Sequence, residues 1–219
     1  MTLSSEDREA WLARWREGRT HFHLDQVHPT LMRYIDQTPL GGRILVPLCG
    51  KSLDLGWLND QGYEVVGVEL AEQAVSELFE QLEVEPIRTQ DGPFEIWESP
   101  GLSVYVGDIF ELNANIAGTF DTIWDRAALI ALNPTDRARY APHVSSFLKK
   151  DSTVLLSVLV YDQQKMSGPP FSVTDDEINR LYASCKSVEK LQSKNVTSRN
   201  PMFLEAGLDT VTENLWLIK

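Results

Sequence analysis

Cysteine and long apolar runs are the features that this sequence has least of. Its only two cysteines, Cys49 and Cys185, cannot form a disulfide framework and do not show the C-x-x-C spacing of a zinc site. We therefore expect reduced thiols. No run of about 18 apolar residues is present to span a bilayer. The opening segment MTLSSEDREAWLARW contains acidic residues and lacks the apolar core of a signal peptide, so we predict a cytoplasmic protein.

Positive charge is also scarce. Twenty basic residues stand against 32 acidic ones, which gives a net charge of −12. Such a chain repels a polyanion, so we expect neither nucleic acid nor an anionic membrane as a partner. The 219 residues, 42% of them hydrophobic, are enough for one domain with a substantial core. We predict a monomer with a single domain over 1–219, in which a helical amino-terminal segment at 1–40 precedes an α/β core at 41–219.

The glycines of the common phosphate-binding loops are missing. The stretch VPLCGKS, at 46–52, ends like a nucleotide-triphosphate loop of the form G-x-x-x-x-G-K-[ST]. Leu45 stands where that loop needs its first glycine, five residues before Gly50. The dinucleotide pattern G-x-G-x-x-G is absent from this turn as well. Neither phosphate cradle is favoured, and a phosphate-loop protein is kept as an alternative only.

Apolar periodicity indicates an ordered series of helices and strands. Trp11 and Trp15 lie on one face of a charged helix at 5–17, and Pro29 opens a second short helix. Strands are predicted at 43–47, 64–68, 102–106, 120–124 and 153–160, with helices at 53–61, 71–82 and 135–148. A hairpin at 88–98, a helix at 174–184 and strands at 187–192 and 211–218 complete the series. The alternation is typical of a doubly wound, Rossmann-like sheet with helices on both faces, to which the late strands add a hairpin at one edge.

Charged side chains follow three of the core strands where those strands end. Glu69 ends the second strand and is placed to accept hydrogen bonds from ribose hydroxyls. Asp108 follows a later strand and is placed to accept from an adenine amino group, with Ile109 against the ring. Asp125 and Arg126 end another strand at the same rim. A ribose acceptor and an adenine acceptor without a phosphate cradle indicate a nucleoside, and S-adenosylmethionine is the common cofactor that fits.

These residues also have plainer explanations. Glu69 could be a solvated acid at a strand end, and Trp11 and Trp15 at helical spacing could be core residues. Asp108 and Arg126 could pair as structural ions.

Five separated motifs carry a resemblance to a known family. They are LVPLCGKSLDLGWL, GYEVVGVEL, DIFEL, FDTIWDRAALIALNP and GPPFSV, preceded by a W-x3-W segment followed by FH and HP. In this order and spacing the sequence resembles the thiopurine S-methyltransferase family from Trp11 to about Val173, and ENLWLIK suits the reversed last strand of class I methyltransferases. The resemblance implies a class I fold, S-adenosylmethionine as the cofactor and a small thiol, or a selenium or tellurium compound, as the methyl acceptor.

The resemblance also implies roles for single residues. Trp11 and Trp15 resemble an amino-terminal lid over the cofactor, Phe22 resembles a substrate-contacting aromatic, and Arg126 resembles an arginine at the junction of cofactor and substrate. The cofactor-contacting positions implied in the core are Leu48, Gly50, Glu69, Asp108 and Ile109. No acid occupies the turn after the first strand, so the amino-terminal segment is expected to hold the methionine end. The acceptor pocket is expected to form from loops around Phe22 and 167–171.

The implied reaction needs little acid–base chemistry. A sulfonium methyl group is already electrophilic, so a thiolate or selenolate needs alignment and exclusion of water. We therefore assign no acid/base residue. Cys49 is not expected to act as a nucleophile, because no histidine is fixed near it, and no metal is assigned, because the pair His21 and His23 is weak evidence for a metal site. Arg126 is placed to lower the pKa of an acceptor thiol. A methyltransferase for halide or another small nucleophile and a non-catalytic nucleoside-binding module are the alternatives.

Overall fold

The structure is a computed structural model that describes residues 2–35 and 42–219. The predicted boundary between the amino-terminal segment and the core, at 40/41, lies outside the described residues. The chain forms two compact units: the first runs to Trp124 and includes Phe147–Ser152, and the second comprises Asp125–Ser146 and Thr153–Lys219. The single domain expected from the sequence stays a prediction. No helix in the described ranges is long and apolar enough to cross a membrane.

Eight α-helices and two short 3-10 helices occur in the described ranges. The α-helices are α1 Ser5–Arg16, α2 Pro29–Tyr34, α3 Asp54–Asp60, α4 Glu72–Gln81, α5 Ala114–Ala117, α6 Pro134–Ser145, α7 Asp175–Leu181 and α8 Pro201–Glu205. The 3-10 helices are Leu129–Ala131 and Thr197–Arg199.

Nine strands accompany these helices in the described ranges. They are β1 Arg43–Pro47, β2 Glu64–Glu69, β3 Ile87–Asp91, β4 Phe94–Ser99, β5 Leu102–Val106, β6 Phe120–Arg126, β7 Leu148–Val160, β8 Val188–Asn195 and β9 Thr212–Ile218.

A mostly parallel sheet forms the centre of the first unit. Its strand order is β3-β4-β5-β2-β1-β6, in which β5, β2, β1 and the start of β6 run parallel. β1 and β2 are buried along nearly their whole length, as expected for parallel strands enclosed on both faces. β3 and β4 form the hairpin predicted at 88–98 and pair antiparallel at the edge. Helices α3 and α4 contact β2 and β5, which confirms the βαβα series.

Antiparallel pairing characterises the second unit. β9 lies between β7 and β8 and runs antiparallel to both. The late pair of strands and the reversed last strand are therefore confirmed. With the parallel sheet of the first unit, they confirm the predicted α/β fold class with a mixed sheet.

The largest error in the sequence-based series concerns residues 145–152. The helix predicted at 135–148 ends at Ser145, and β7 begins at Leu148 rather than at residue 153. The polar residues at 149–152 give no apolar strand signal, yet hydrogen bonds hold them in the first unit. Phe120 N–H donates to the Phe147 carbonyl over 2.8 Å, and the Ser152 hydroxyl donates to the Phe120 carbonyl over 3.0 Å. Tertiary pairing thus overrides local propensity here.

Candidate functional site

The carboxyl ends of β1, β2 and β5 meet at one edge of the parallel sheet. In register, Pro47 lies beside Val68, and Glu69 lies beside Val106. Two backbone hydrogen bonds continue this pairing into the loops, from Cys49 N–H to the Val68 carbonyl over 3.0 Å and from Gly107 N–H to the Glu69 carbonyl over 2.8 Å. The turn after β1, the end of β2 and the segment after β5 are therefore neighbours, which is where open α/β sheets bind ligands.

The turn after β1 has an unusual backbone. Leu48 has φ +47° and Gly50 has φ +53°, both in the left-handed region. For Gly50 the conformation coincides with a close approach, because a Cβ built on it would lie 3.1 Å from Trp15 Cζ2. Leu48 adopts this backbone despite its side chain and is half-buried. The turn is thus shaped for close contact, and the indole of Trp15 lies against Gly50.

Glu69 is buried at the carboxyl edge and joins two segments. Its Oε2 accepts a hydrogen bond from Gly50 N–H over 2.9 Å, and its Oε1 accepts one from Ala71 N–H over 2.8 Å. Burial raises the pKa of the carboxyl group, and the backbone N–H groups act against that rise. The interpretation of Glu69 as a solvated strand-end acid is wrong, since only 8% of the residue is exposed. Each carboxylate oxygen has a second lone pair with which to accept from a hydroxyl group.

Asp108 is also buried and is bound by backbone N–H groups. Its Oδ1 accepts from Phe110 N–H over 3.0 Å, and its Oδ2 accepts from Leu3 N–H over 2.6 Å. Ile109, the next residue, is 3% exposed. The contact with Leu3 links the beginning of the described chain to the carboxyl edge. This contact could not be predicted from the sequence, because the two residues are 105 positions apart.

Three aromatic residues of the amino-terminal segment form a cluster over the same edge. The ring of Phe22 lies edge-on to Trp15, with 5.6 Å between centroids, and to Trp11, with 6.0 Å. Trp15 is 4% exposed and packs with Ala71 and Ala74 at the start of α4. The cluster therefore contacts the segment that follows Glu69, while Trp15 also contacts Gly50.

Two alternatives for neighbouring residues find no support in the first unit. Burial and the charge of Glu69 raise the pKa of Cys49 well above its usual value, so its thiol is protonated and poorly nucleophilic at neutral pH. Lys51, which suggested a phosphate contact, has its Nζ 2.7 Å from Glu77 Oε2. Within the described residues, no group of three or more histidine, cysteine or acidic side chains is arranged to hold a metal.

Arg126 and Asp125 belong to the second unit and end β6. Arg126 is half-buried, whereas Asp125 is 0% exposed. Asp125 Oδ1 accepts from Leu129 N–H over 3.1 Å, and its Oδ2 accepts from the Tyr140 hydroxyl over 2.8 Å. Burial raises the pKa of Asp125 to about 6. Sequence reasoning missed Tyr140, whose position within α6 gives no sign that its hydroxyl reaches a strand end.

The loop at 167–171 is anchored on several sides within the second unit. The Tyr161 hydroxyl donates to the Pro170 carbonyl over 2.5 Å, and Phe171 N–H donates to the Ile130 carbonyl over 2.7 Å. The guanidinium of Arg137 lies 5.9 Å from the centroid of the Phe171 ring. Arg137 and Tyr161 were not identified from the sequence, because neither stands in a recognisable motif.

Comparisons with known proteins agree on one family. A sequence model described as "Thiopurine S-methyltransferase (TPMT)" matches residues 6–219. The thiopurine S-methyltransferase of Bordetella petrii is 45% identical over 92% of this chain and 93% of that relative. The enzyme of the same name from Pseudomonas aeruginosa strain UCBPP-PA14 is 44% identical over 95% of this chain and 97% of that relative.

A solved structure supports the fold independently. It is a Burkholderia thailandensis 1,6-didemethyltoxoflavin-N1-methyltransferase with bound 1,6-didemethyltoxoflavin and S-adenosylhomocysteine. The match covers 96% of this chain and 85% of the chain in that structure, with a TM-score of 0.65 and 18% sequence identity. The buried acid at the end of β2 and the tight turn after β1 lie at the edge where open α/β sheets bind ligands. The chain therefore belongs to the thiopurine S-methyltransferase family and is an S-adenosylmethionine-dependent methyltransferase.

Proposed function

We propose that the chain transfers a methyl group to the sulfur of small aromatic or heterocyclic thiols, with selenium and tellurium compounds as related acceptors. The family supports this acceptor class. The observation that carries the cofactor side is the buried carboxylate of Glu69, bound to the turn after β1 through Gly50 N–H over 2.9 Å. A nucleoside bound at this edge would find a hydrogen-bond acceptor in Glu69 and a closely approaching backbone at Gly50.

The proposed cofactor contacts are those that the family resemblance implies, with Arg126 among them. Glu69 accepts from the ribose hydroxyls, and Asp108 accepts from the adenine amino group with Ile109 against the ring. Leu48 and Gly50 form the wall after β1. Trp11 and Trp15 cover the site as a lid, a role supported by the contact of Trp15 with Gly50.

The acceptor contacts proposed are Phe22 and Arg126. S-adenosylmethionine supplies an electrophilic methyl group, so the protein aligns the acceptor and excludes water. Arg126 stabilises the anionic thiolate and orients a ring through its planar guanidinium. No acid or base is assigned. Cys49 is no nucleophile in this proposal, because its raised pKa keeps the thiol protonated.

The setting proposed for this activity is a cytoplasmic monomer. Two free cysteines, of which Cys49 is buried, suit a reducing compartment. A net charge of −12 disfavours self-association, because copies of the chain repel each other.

The test is methyl transfer from isotope-labelled S-adenosylmethionine by the purified chain. Thiophenol, 6-mercaptopurine, benzeneselenol and iodide serve as separate acceptors. We expect label in the methyl thioethers of both thiols. The Arg126→Lys variant tests the role of the guanidinium group. It should fold normally but turn over more slowly, since the point charge of a lysine does not replace the planar fork of an arginine.

Two outcomes would overturn the proposal. Transfer to iodide without transfer to either thiol would indicate a halide methyltransferase. Binding of S-adenosylhomocysteine in a calorimeter, without label transfer to any acceptor, would indicate a nucleoside-binding module.

A further inference from the structure

The segment that follows β6 turns sharply immediately after Arg126. Ala127 has φ +67°, and the 3-10 helix Leu129–Ala131 starts after Ala128. Residues with a Cβ rarely adopt this left-handed conformation, so the turn needs support from its surroundings. Asp125, the residue before Arg126, provides that support.

The side chain of Asp125 spans the turn from inside the second unit. Its Oδ1 accepts from Leu129 N–H over 3.1 Å, which joins the end of β6 to the start of the 3-10 helix. The backbone N–H of Ala128 also hydrogen-bonds this carboxylate. On the other oxygen, the Tyr140 hydroxyl donates over 2.8 Å and fixes the carboxylate to α6. Asp125 and Tyr140 are both 0% exposed, so water does not compete for these bonds.

The 3-10 helix in turn holds the loop at 167–171. Phe171 N–H donates to the carbonyl of Ile130, in the middle of that helix, over 2.7 Å. One buried carboxylate therefore lies at the base of two segments assigned here to the acceptor site, the backbone of Arg126 and the loop that carries Phe171.

We propose that Asp125 is a positioning residue for the methyl acceptor, and that the Tyr140 hydroxyl holds its carboxylate in place for that task. Asp125 is buried and does not touch the substrate. It acts through the turn that presents Arg126 and through the 3-10 helix that binds the loop. The inference rests on the proposed function, because it assumes that Arg126 contacts the acceptor.

The protonation state of Asp125 gives this role a measurable signature. Burial raises its pKa to about 6, whereas the hydrogen bond from Tyr140 lowers it. In the described part of the chain, the titratable side chains that face the group are Tyr140 from α6 and the buried Tyr182 at the end of α7, which interacts in turn with Cys185. When the Asp125 carboxylate is protonated, one of its oxygens becomes a hydrogen-bond donor, and the carboxyl group accepts hydrogen bonds from Leu129 and Tyr140 less well. Binding of the methyl acceptor should therefore weaken as the pH falls through this range.

The experiment compares three variants of the full chain with the wild type. Tyr140→Phe removes the hydrogen bond, and Asp125→Asn removes the titration. Tyr182→Phe is the matched control, because it deletes another buried hydroxyl, for which no hydrogen-bond partner occurs in the described part of the chain. The measured quantity is kcat/KM for thiophenol, with kcat and KM separated, from about pH 5 to pH 9. The ratio of variant to wild type at each pH cancels the ionisation of the thiol itself.

As the pH falls, the ratio of variant to wild-type kcat/KM should decrease for Tyr140→Phe and increase for Asp125→Asn. For Tyr140→Phe we expect a ratio below 1 at high pH, because the carboxylate is held less firmly. The ratio should fall about fivefold further at pH 6 and approach a tenfold fall at pH 5, mainly through KM, if the pKa rises by about one unit. For Asp125→Asn the ratio should be low at high pH and rise as the pH falls, because only the wild type loses its carboxylate. Tyr182→Phe should give a ratio that does not change with pH.

Flat ratios for both Tyr140→Phe and Asp125→Asn would overturn the inference and leave these residues as packing groups. If Asp125→Asn fails to fold, the Tyr140→Phe ratio decides alone. A wild type that transfers no methyl group to any acceptor would instead overturn the proposed function.

Discussion

Glu69 shows how one buried carboxylate serves both the fold and the site. Burial raises its pKa, while N–H groups of Gly50 and Ala71 stabilise its charged form. These bonds join the turn after β1 to the end of β2. A binding edge whose backbone is held in this way has a lower entropic cost of binding.

At this scale we predict that Glu69→Ala weakens binding of S-adenosylhomocysteine by roughly 1–3 kcal/mol, because charge-assisted bonds to the ribose are lost. Isothermal titration calorimetry measures the change. Glu64→Ala is the matched control, since Glu64 begins the same strand at its opposite end and its side chain is exposed. Equal dissociation constants for both variants would contradict the ribose role.

Helix α1 buries little of its own surface in the first unit. Of its 12 residues only Trp15 is buried, and an isolated helix of about this length is marginal in water. Its stability therefore depends on packing against α4 and on the contact of Trp15 with Gly50. A helix held by so few contacts is well suited to open and close over a ligand.

We predict that amides of α1 exchange with deuterium faster than those of α6, and that S-adenosylhomocysteine slows exchange in α1. Helix α6 is a suitable internal control, because it also has 12 residues but buries five of them. Hydrogen exchange followed by mass spectrometry resolves the two helices. A ligand that binds without slowing α1 would argue that this helix is structural and not a lid.

At the scale of the whole molecule, buried acids link folding to pH. The pKa of Asp125 is about 6 in the folded state, against about 3.9 in an unfolded chain. Between these values the folded state binds more protons, so this group makes the protein less stable as the pH rises. The destabilisation caused by Asp125 is fully present above its pKa in the folded state and disappears below its pKa in the unfolded state.

We predict that the unfolding free energy of the wild type, minus that of Asp125→Asn, decreases by roughly 2–3 kcal/mol between pH 4 and pH 7. Urea denaturation at a series of pH values measures the difference. Asp121→Asn is the control: Lys149 lowers the pKa of Asp121, so its difference should rise slightly between pH 4 and about pH 5, where the unfolded group still titrates, and stay constant above that. A difference for Asp125→Asn that does not decrease as the pH rises would show that its pKa is not raised.

The sequence was sufficient to predict the parallel strands, because Ile44–Val46 and Val65–Val68 are short apolar runs, rich in β-branched residues, that are typical of buried strands. It also placed Glu69 and Asp108 at strand ends. It could not predict their partners, because the bond between Leu3 and Asp108 joins residues brought together only by folding. The start of β7 was missed for the same reason, since Phe120 and Phe147 pair through their backbones and leave no pattern in the side chains.

The bond from Leu3 N–H to Asp108 has a practical consequence for work with this protein. Leu3 stands near the beginning of the chain, and its amide shares a carboxylate with the proposed adenine contact. A purification tag fused before Thr2 would emerge beside that carboxylate and compete with the ligand for space. Affinities are therefore best measured after any residues fused ahead of Thr2 have been removed.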